Sequence, residues 1–347
     1  MVFISNKTNS LFNCCTYVNR KTATYKKHKV NAPSPVPLFN VLVFFCLFIS
    51  NPVYAETKSI LIITNDHVPI NSQVSTLLKN YFSEKDTISV SVHHYQNISR
   101  KQIRYTPAAL IIALGIKASK LASPSSTPTL YTLIPENSLQ DIGLCVSNRC
   151  PKIPKHIANN YAIYLDQPIS RQLNLLTSLL PSATKIGVLT ASFSHNKLKL
   201  LQSESKKHNL ALNSKYIKDE SNLHRQFNEL ISNIDVLFTL PDPLINNRTN
   251  IPFLLLSTYR YNIPVIGFSK AYVNAGAIAA VYSSAEQIAL QISELAIDIL
   301  FSANTISNTY FAPKYFSIAI NESVSHSLEL HLPDKQTIKS KLLLLEK

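Results

Sequence analysis

Glycine is scarce in this chain. The 347 residues contain only five, Gly115, Gly143, Gly187, Gly267 and Gly276. No two stand close enough to form G-x-G, so neither a phosphate-binding loop nor a dinucleotide fingerprint can be written. The nucleophile elbow G-x-S-x-G is missing as well. Those absences count against most nucleotide-dependent enzymes and leave an exported α/β hydrolase, the third functional class in contention, without its motif. Acidic residues are also few, 20 Asp plus Glu against 34 Lys plus Arg. None precedes Ala55, whereas Lys7, Arg20, Lys21, Lys26, Lys27 and Lys29 do. Without those six the balance is 28 against 20, or +8. The remaining charges are dispersed, with no basic block interleaved with aromatics, which argues for solubility and against nucleic acid as a partner. No short repeat and no low-complexity segment interrupts the chain.

The first 55 residues read as a leader. Leu38 to Ile49 is an almost unbroken apolar run behind Lys26-Lys27-His28-Lys29, followed by Asn51-Pro52 and Val53-Tyr54-Ala55. A basic flank, a short apolar core and small residues at a Val-x-Ala end predict a secretory signal cut after Ala55. A bilayer span needs about 20 residues, more than this run supplies. The expected location is therefore the periplasm. Cys14, Cys15 and Cys46 belong to the leader, which leaves Cys145 and Cys150 in the exported chain. Two cysteines so spaced in an oxidising compartment predict a local disulfide, a structural staple. A metal there would need further ligands, and none is suitably spaced.

From Ser59 onward strand and helix alternate. Ser59–Thr64, Ala108–Leu114 and Pro128–Ile134 are buried strands, Ile88–Tyr95 a half-exposed one, and Asn71–Ser83 an amphipathic helix. Tyr161–Leu165 is a short strand, and Asp166-Gln167-Pro168 marks the first crossing into a second lobe. The pattern restarts with helix Arg171–Leu180, strand Lys185–Thr190, an edge-like strand Ala211–Lys218, and a helix Ser221–Ile231 capped by Ser221. The organising stretch follows, Asp235-Val-Leu-Phe-Thr-Leu-Pro-Asp242-Pro and Ile263-Pro-Val-Ile-Gly-Phe-Ser269-Lys270, with helical Ile251–Tyr261 between them. Continuous apolar runs bounded by turn residues are strands covered on both faces, hence parallel strands with helical crossovers. Ala285–Phe301 is an apolar helix that packs back on the first lobe. Lys314–Asn321 is a late strand, and the Lys-rich tail after Pro333 is expected to be a surface helix. The fold class is α/β, two doubly wound Rossmann-like lobes. Residues 56–168 with 283–306 form lobe 1, and 169–282 with 307–347 form lobe 2.

In such sheets ligands bind beyond the carboxyl ends of the strands. Asn65, Asp66, Thr190, Asp242 and Ser269 all stand there. Ser192, Ser194 and Asn196 lie at a strand-to-helix turn, where free N–H groups and the dipole favour an anion such as a ligand carboxylate. The ordinary alternative is that Ser192 or Ser194 caps the helix. Asp242 or Asp66 could face a ligand ammonium, against the plainer role of turn residue. Phe193, Tyr259, Phe268 and Tyr272 near the same rim could stack on a ring or serve as core. His93 and His94 point to opposite strand faces and cannot chelate together. No nucleophile–base pair is forced by spacing, and neither metal nor cofactor is expected.

Leu-Pro-Asp-Pro-Leu at 240–244, Ile-Pro-Val-Ile-Gly-Phe-Ser at 263–269 and Ala-Tyr-Val-Asn-Ala-Gly-Ala at 271–277 resemble the periplasmic substrate-binding proteins of ABC transporters. More narrowly, they resemble the branch that includes binders of aromatic and branched amino acids. Tyr164-Leu-Asp-Gln-Pro-Ile-Ser-Arg-Gln-Leu-Asn-Leu-Leu, Lys185-Ile-Gly-Val-Leu and Ala312-Pro-Lys-Tyr-Phe-Ser-Ile-Ala-Ile-Asn extend the likeness over most of the exported chain. Ile112-Ala-Leu-Gly115-Ile-Lys-Ala-Ser resembles a family turn, with Ile116 where Thr is usual. The resemblance implies a type 1 periplasmic-binding fold that closes on a small organic ligand, an amino acid being one candidate, without covalent chemistry. It carries ligand contacts over to Gly115, Ser192, Asn196, Asp242 and Ser269. It also implies an ABC permease or a membrane receptor as partner, and a monomer. A ligand-sensing or accessory module of the same fold, without a transporter, is the alternative.

Overall fold

A computed structural model describes residues 57–123, 125–144, 160–302 and 309–346. The expected leader and the Cys145–Cys150 disulfide lie outside the described residues.

Two six-stranded sheets form, one mainly from the first half of the chain and one from the second, with a late strand returning to the first sheet. The first contains β1 (Lys58–Thr64), β2 (Ile88–His94), β3 (Leu110–Leu114), β4 (Thr129–Ile134), β5 (Asn160–Tyr164) and β11 (Tyr310–Phe311). Their order is β11-β5-β4-β3-β1-β2, parallel throughout. The second contains β6 (Lys185–Thr190), β7 (Ala211–Tyr216), β8 (Val236–Phe238), β9 (Val265–Gly267), β10 (Ala279–Tyr282) and β12 (Ser317–Ile320). Its order is β12-β10-β9-β8-β6-β7, parallel except that β12 runs against β10. Apolar runs such as Leu110-Ile-Ile-Ala-Leu114 are buried along their whole length, because helices cover both faces of each sheet.

In the first lobe α1 (Pro69–Ser83) starts on proline, which needs no N–H partner there. It and α9 (Ala285–Phe301) share one core with β1, β3 and β4, through Val74, Leu78, Ile288 and Ile292 among others. α9 thus packs on the sheet of the first lobe. On the opposite face lie α2 (Arg100–Tyr105) and α3 (Ile116–Ala122). The second lobe carries α4 (Ile169–Leu179), α5 (Leu198–Lys207), α6 (Glu220–Ile231), α7 (Asn250–Arg260) and α8 (Lys270–Ala275). After β12 come α10 (Glu322–Ser327) and α11 (Lys335–Leu345).

Two local expectations are corrected. The cap of α6 is Asp219, which accepts the Asn222 N–H, while Ser221 donates its hydroxyl to that same carboxylate. The tail helix α11 is not merely a surface element. Ile338 and Leu342 are buried in the core of the second lobe, because β12 and α4 leave an apolar groove there.

Three segments cross between lobes: 165–168, 283–284 and 312–316. The last begins after β11, a few residues beyond the 306/307 boundary drawn from the sequence. Side chains stitch the crossings together. Gln167 Nε2 donates to Ser283 Oγ at 2.9 Å, and Ser283 donates to the Tyr315 carbonyl at 2.6 Å. Buried Arg171 donates to Gln167 Oε1 at 2.7 Å, to the Pro313 carbonyl at 2.9 Å and, two-pronged, to Glu346. Its guanidinium also lies 4.3 Å from the Phe316 ring centroid.

Candidate functional site

The carboxyl ends of both sheets meet at a cavity of about 260 Å³ beside these crossings. Thr132, Pro135 and Ile163 line it from the first lobe, and Ile169, Gln172, Leu240, Pro241, Phe268 and Ser269 from the second. Tyr164 to Gln167, Tyr282, Ser283 and Pro313 form its hinge-side wall. The lining is thus mostly apolar with a few polar groups, the usual make-up of a small-molecule site.

The charged members are mutually satisfied. Lys197, at the foot of α5, reaches Asp166 Oδ1 at 2.5 Å and Glu136 Oε2 at 3.3 Å. Asp166, whose side chain is 6% exposed, also accepts the Glu136 N–H at 2.7 Å. Burial, then the nearby Glu136 and Asp166 carboxylates, push the Tyr164 hydroxyl up to about 12, so it stays protonated at neutral pH. A few residues away Asn137 donates to the Phe193 carbonyl and accepts from Asn196 Nδ2 at 2.6 Å. Residues 136–137 of the first lobe therefore clasp residues 193–197 of the second.

Among the residues expected at a ligand, Ser269 alone borders the cavity. Its hydroxyl caps α8 by accepting the Tyr272 N–H at 3.2 Å. Asn65 is half-buried just beyond β1 and Asp66 is exposed. Gly115 opens α3 at φ +87°, and a Cβ there would stand 2.7 Å from Asn71 Nδ2, which donates to the Leu114 carbonyl. That position therefore requires glycine. Thr190 is buried with its hydroxyl 3.3 Å from His195 Nδ1. Ser192 is exposed, and Asn196 is engaged with Asn137. Buried Asp242 accepts from the Ser194 N–H at 2.9 Å, the Ser194 hydroxyl at 2.8 Å and the Leu244 N–H at 3.0 Å.

The strand-to-helix turn after Thr190 is therefore filled by the protein's own carboxylate. A short 3₁₀ turn, His195–Lys197, intervenes before α5, and no serine side chain caps it. Of the aromatics, Phe268 borders the cavity, Tyr272 packs behind it at 5.2 Å, and Tyr259 is exposed on α7. Sequence reading left out Lys197, Gln172, Glu136 and Asn137 as site residues. The available signal was their placement, at strand ends or beside the Asp166-Gln167-Pro168 crossing. Among the described residues no group of His, Cys, Asp and Glu could hold a metal ion.

Residues 164–341 match the profile of a family described as ABC transporter substrate binding protein. No curated protein matches the sequence. Three solved structures superpose over most of the chain. A ligand-free, open substrate-binding protein with adhesive properties from Clostridium difficile shares 19% identity at TM-score 0.63, covering 81% of this chain and 97% of its own. An ABC domain in complex with L-Trp from Streptococcus pneumonia shares 15% at 0.55, covering 82% and 98%. A conserved domain protein from Vibrio cholerae gives the same identity, score and coverages. At such identities the likeness establishes the fold, two α/β lobes of the type 1 periplasmic-binding arrangement.

Proposed function

The chain belongs to the ABC transporter substrate-binding protein family, and on that premise we propose that it captures a small organic solute between its lobes and delivers it to an importer. Members of this family are binders rather than enzymes and work outside the cytoplasm. Among the described residues no helix is long and apolar enough to cross a membrane. The leader expected from the sequence supports export to the periplasm, with an ABC permease as partner. Amino acids belong in the candidate class, since one structural neighbour holds L-Trp.

The observation that carries this reading is the cavity of about 260 Å³ lined by both lobes at the carboxyl ends of their sheets. Ser269 is the contact on its wall. Asn65, Asp66, Gly115, Thr190, Ser192, Asn196 and Asp242 shape the facing strand ends. The lobes are the two sheets with their helices, joined at the three crossings.

A thermal-shift screen of the purified protein against amino acids, polyols and small metabolites tests the reading. A solute present at about 100 times its Kd stabilises by about 2.7 kcal/mol, a readily seen shift. A screen in which no solute moves the midpoint would contradict it.

A further inference from the structure

Charge around the cavity narrows the class of solute, an inference that rests on the solute-binding reading above. Among the described residues Lys197 is the only Lys or Arg lining the cavity, and its ammonium already serves Asp166 at 2.5 Å and Glu136 at 3.3 Å. Two carboxylates share one ammonium, so the group is net negative. The turn after Thr190, a natural anion receiver, is occupied by Asp242 through the Ser194 N–H and hydroxyl. The first turn of α8, at the cavity wall, is capped by the Ser269 hydroxyl. At both of these places a group of the protein itself stands where a ligand carboxylate could be received.

Two oxygens in residues of the wall remain able to accept a hydrogen bond. Thr132 Oγ1 and Gln172 Oε1, in residues lining the cavity, are buried without a partner. Gln172 Nε2 donates to the Gln167 carbonyl at 2.9 Å, and its Oε1 is left without a donor. A small side-chain rotation would offer either oxygen to an incoming donor, and a buried polar atom gains by pairing. Phe268, Tyr282, Ile169 and Leu240 supply an apolar surround.

We propose that the cavity takes an apolar-bodied solute, uncharged or cationic, that carries an N–H or O–H donor, and that it discriminates against a free carboxylate. The test is calorimetric titration of the purified protein with phenethylamine, phenylalaninamide, phenylalanine and phenylpropionate. The first two are expected to bind at least about tenfold more tightly than the last two. In Glu136→Gln, Lys197 keeps one carboxylate instead of two, and the preference is expected to shrink several-fold. The Glu136 side chain is one-third exposed, so this variant keeps the fold, which its urea midpoint verifies.

Carboxylates binding as tightly as the amide, or a preference unchanged in Glu136→Gln, would overturn the charge selection and leave solute capture standing. If none of the four probes binds while a panel of amino acids or polyols does, the assigned class is wrong. If nothing in either set binds, solute capture falls with it.

Discussion

Asp242 illustrates how a residue at a strand end acquires its role. Its place after an apolar run, between two prolines, marks it as a rim residue. What the sequence does not reveal is that Ser194, from a distant turn, presents both an N–H and a hydroxyl to that carboxylate. With the Leu244 N–H, three donors in a buried setting depend on it. Asp242→Ala is therefore expected to lower stability by about 2–4 kcal/mol, since buried donors left without an acceptor lose water and gain nothing. Urea unfolding measures this directly. A midpoint unchanged from the parent protein would return Asp242 to the role of a free ligand contact.

Gly115 shows the complementary case, a position readable in part. The strand-to-helix turn after an apolar run was evident, and so was the glycine. The reasons for glycine are a backbone φ of +87° and, added to it, the close approach of Asn71, a long-range contact that no local pattern encodes. Lys197 was harder still. Its value lies in reaching Asp166 and Glu136, which belong to a crossing and to the opposite lobe.

At the scale of elements, long periodic segments and continuous apolar runs were legible, and the shortest elements lacking either were not. Helix Ala285–Phe301 was read with its bounds from its apolar residues, and the structure adds a capping box of Ser284 with Gln287 at its start. Strands β8 and β9, three residues each, were read from continuous apolar runs bounded by turn residues, whereas in four-residue β10 no such run or period stands out. The six-residue α8 was missed for the same reason.

The tail helix was misjudged because Lys335, Lys339 and Lys341 dominate its composition. Ile338 and Leu342, four apart, nonetheless form a stripe that packs beside α4, and Glu346 just beyond α11 holds buried Arg171. Leu342→Ala should accordingly cost about 3 kcal/mol, a value typical of a fully buried leucine replaced by a smaller side chain. Denaturant unfolding with an unchanged slope is the check. A loss within a few tenths of a kcal/mol would restore the view of α11 as a surface element.

On the scale of the whole molecule, the two sheets present their carboxyl ends to one cavity, and the three crossings are tied by Gln167, Arg171, Ser283 and Tyr315. The clasp between residues 136–137 and 193–197 rests on a few hydrogen bonds and one ion pair, so it can open while the stitched crossings act as the hinge. Capture between lobes demands that a solute touch both at once. Hydrogen exchange of the full chain, with and without the tightest solute from the screen, reads that requirement segment by segment. Slowed exchange is expected in residues 132–137 of the first lobe, in 163–172 at the hinge and in 268–283 of the second lobe together. Protection confined to one lobe, or found only at the far face near residues 318–335, would contradict the account.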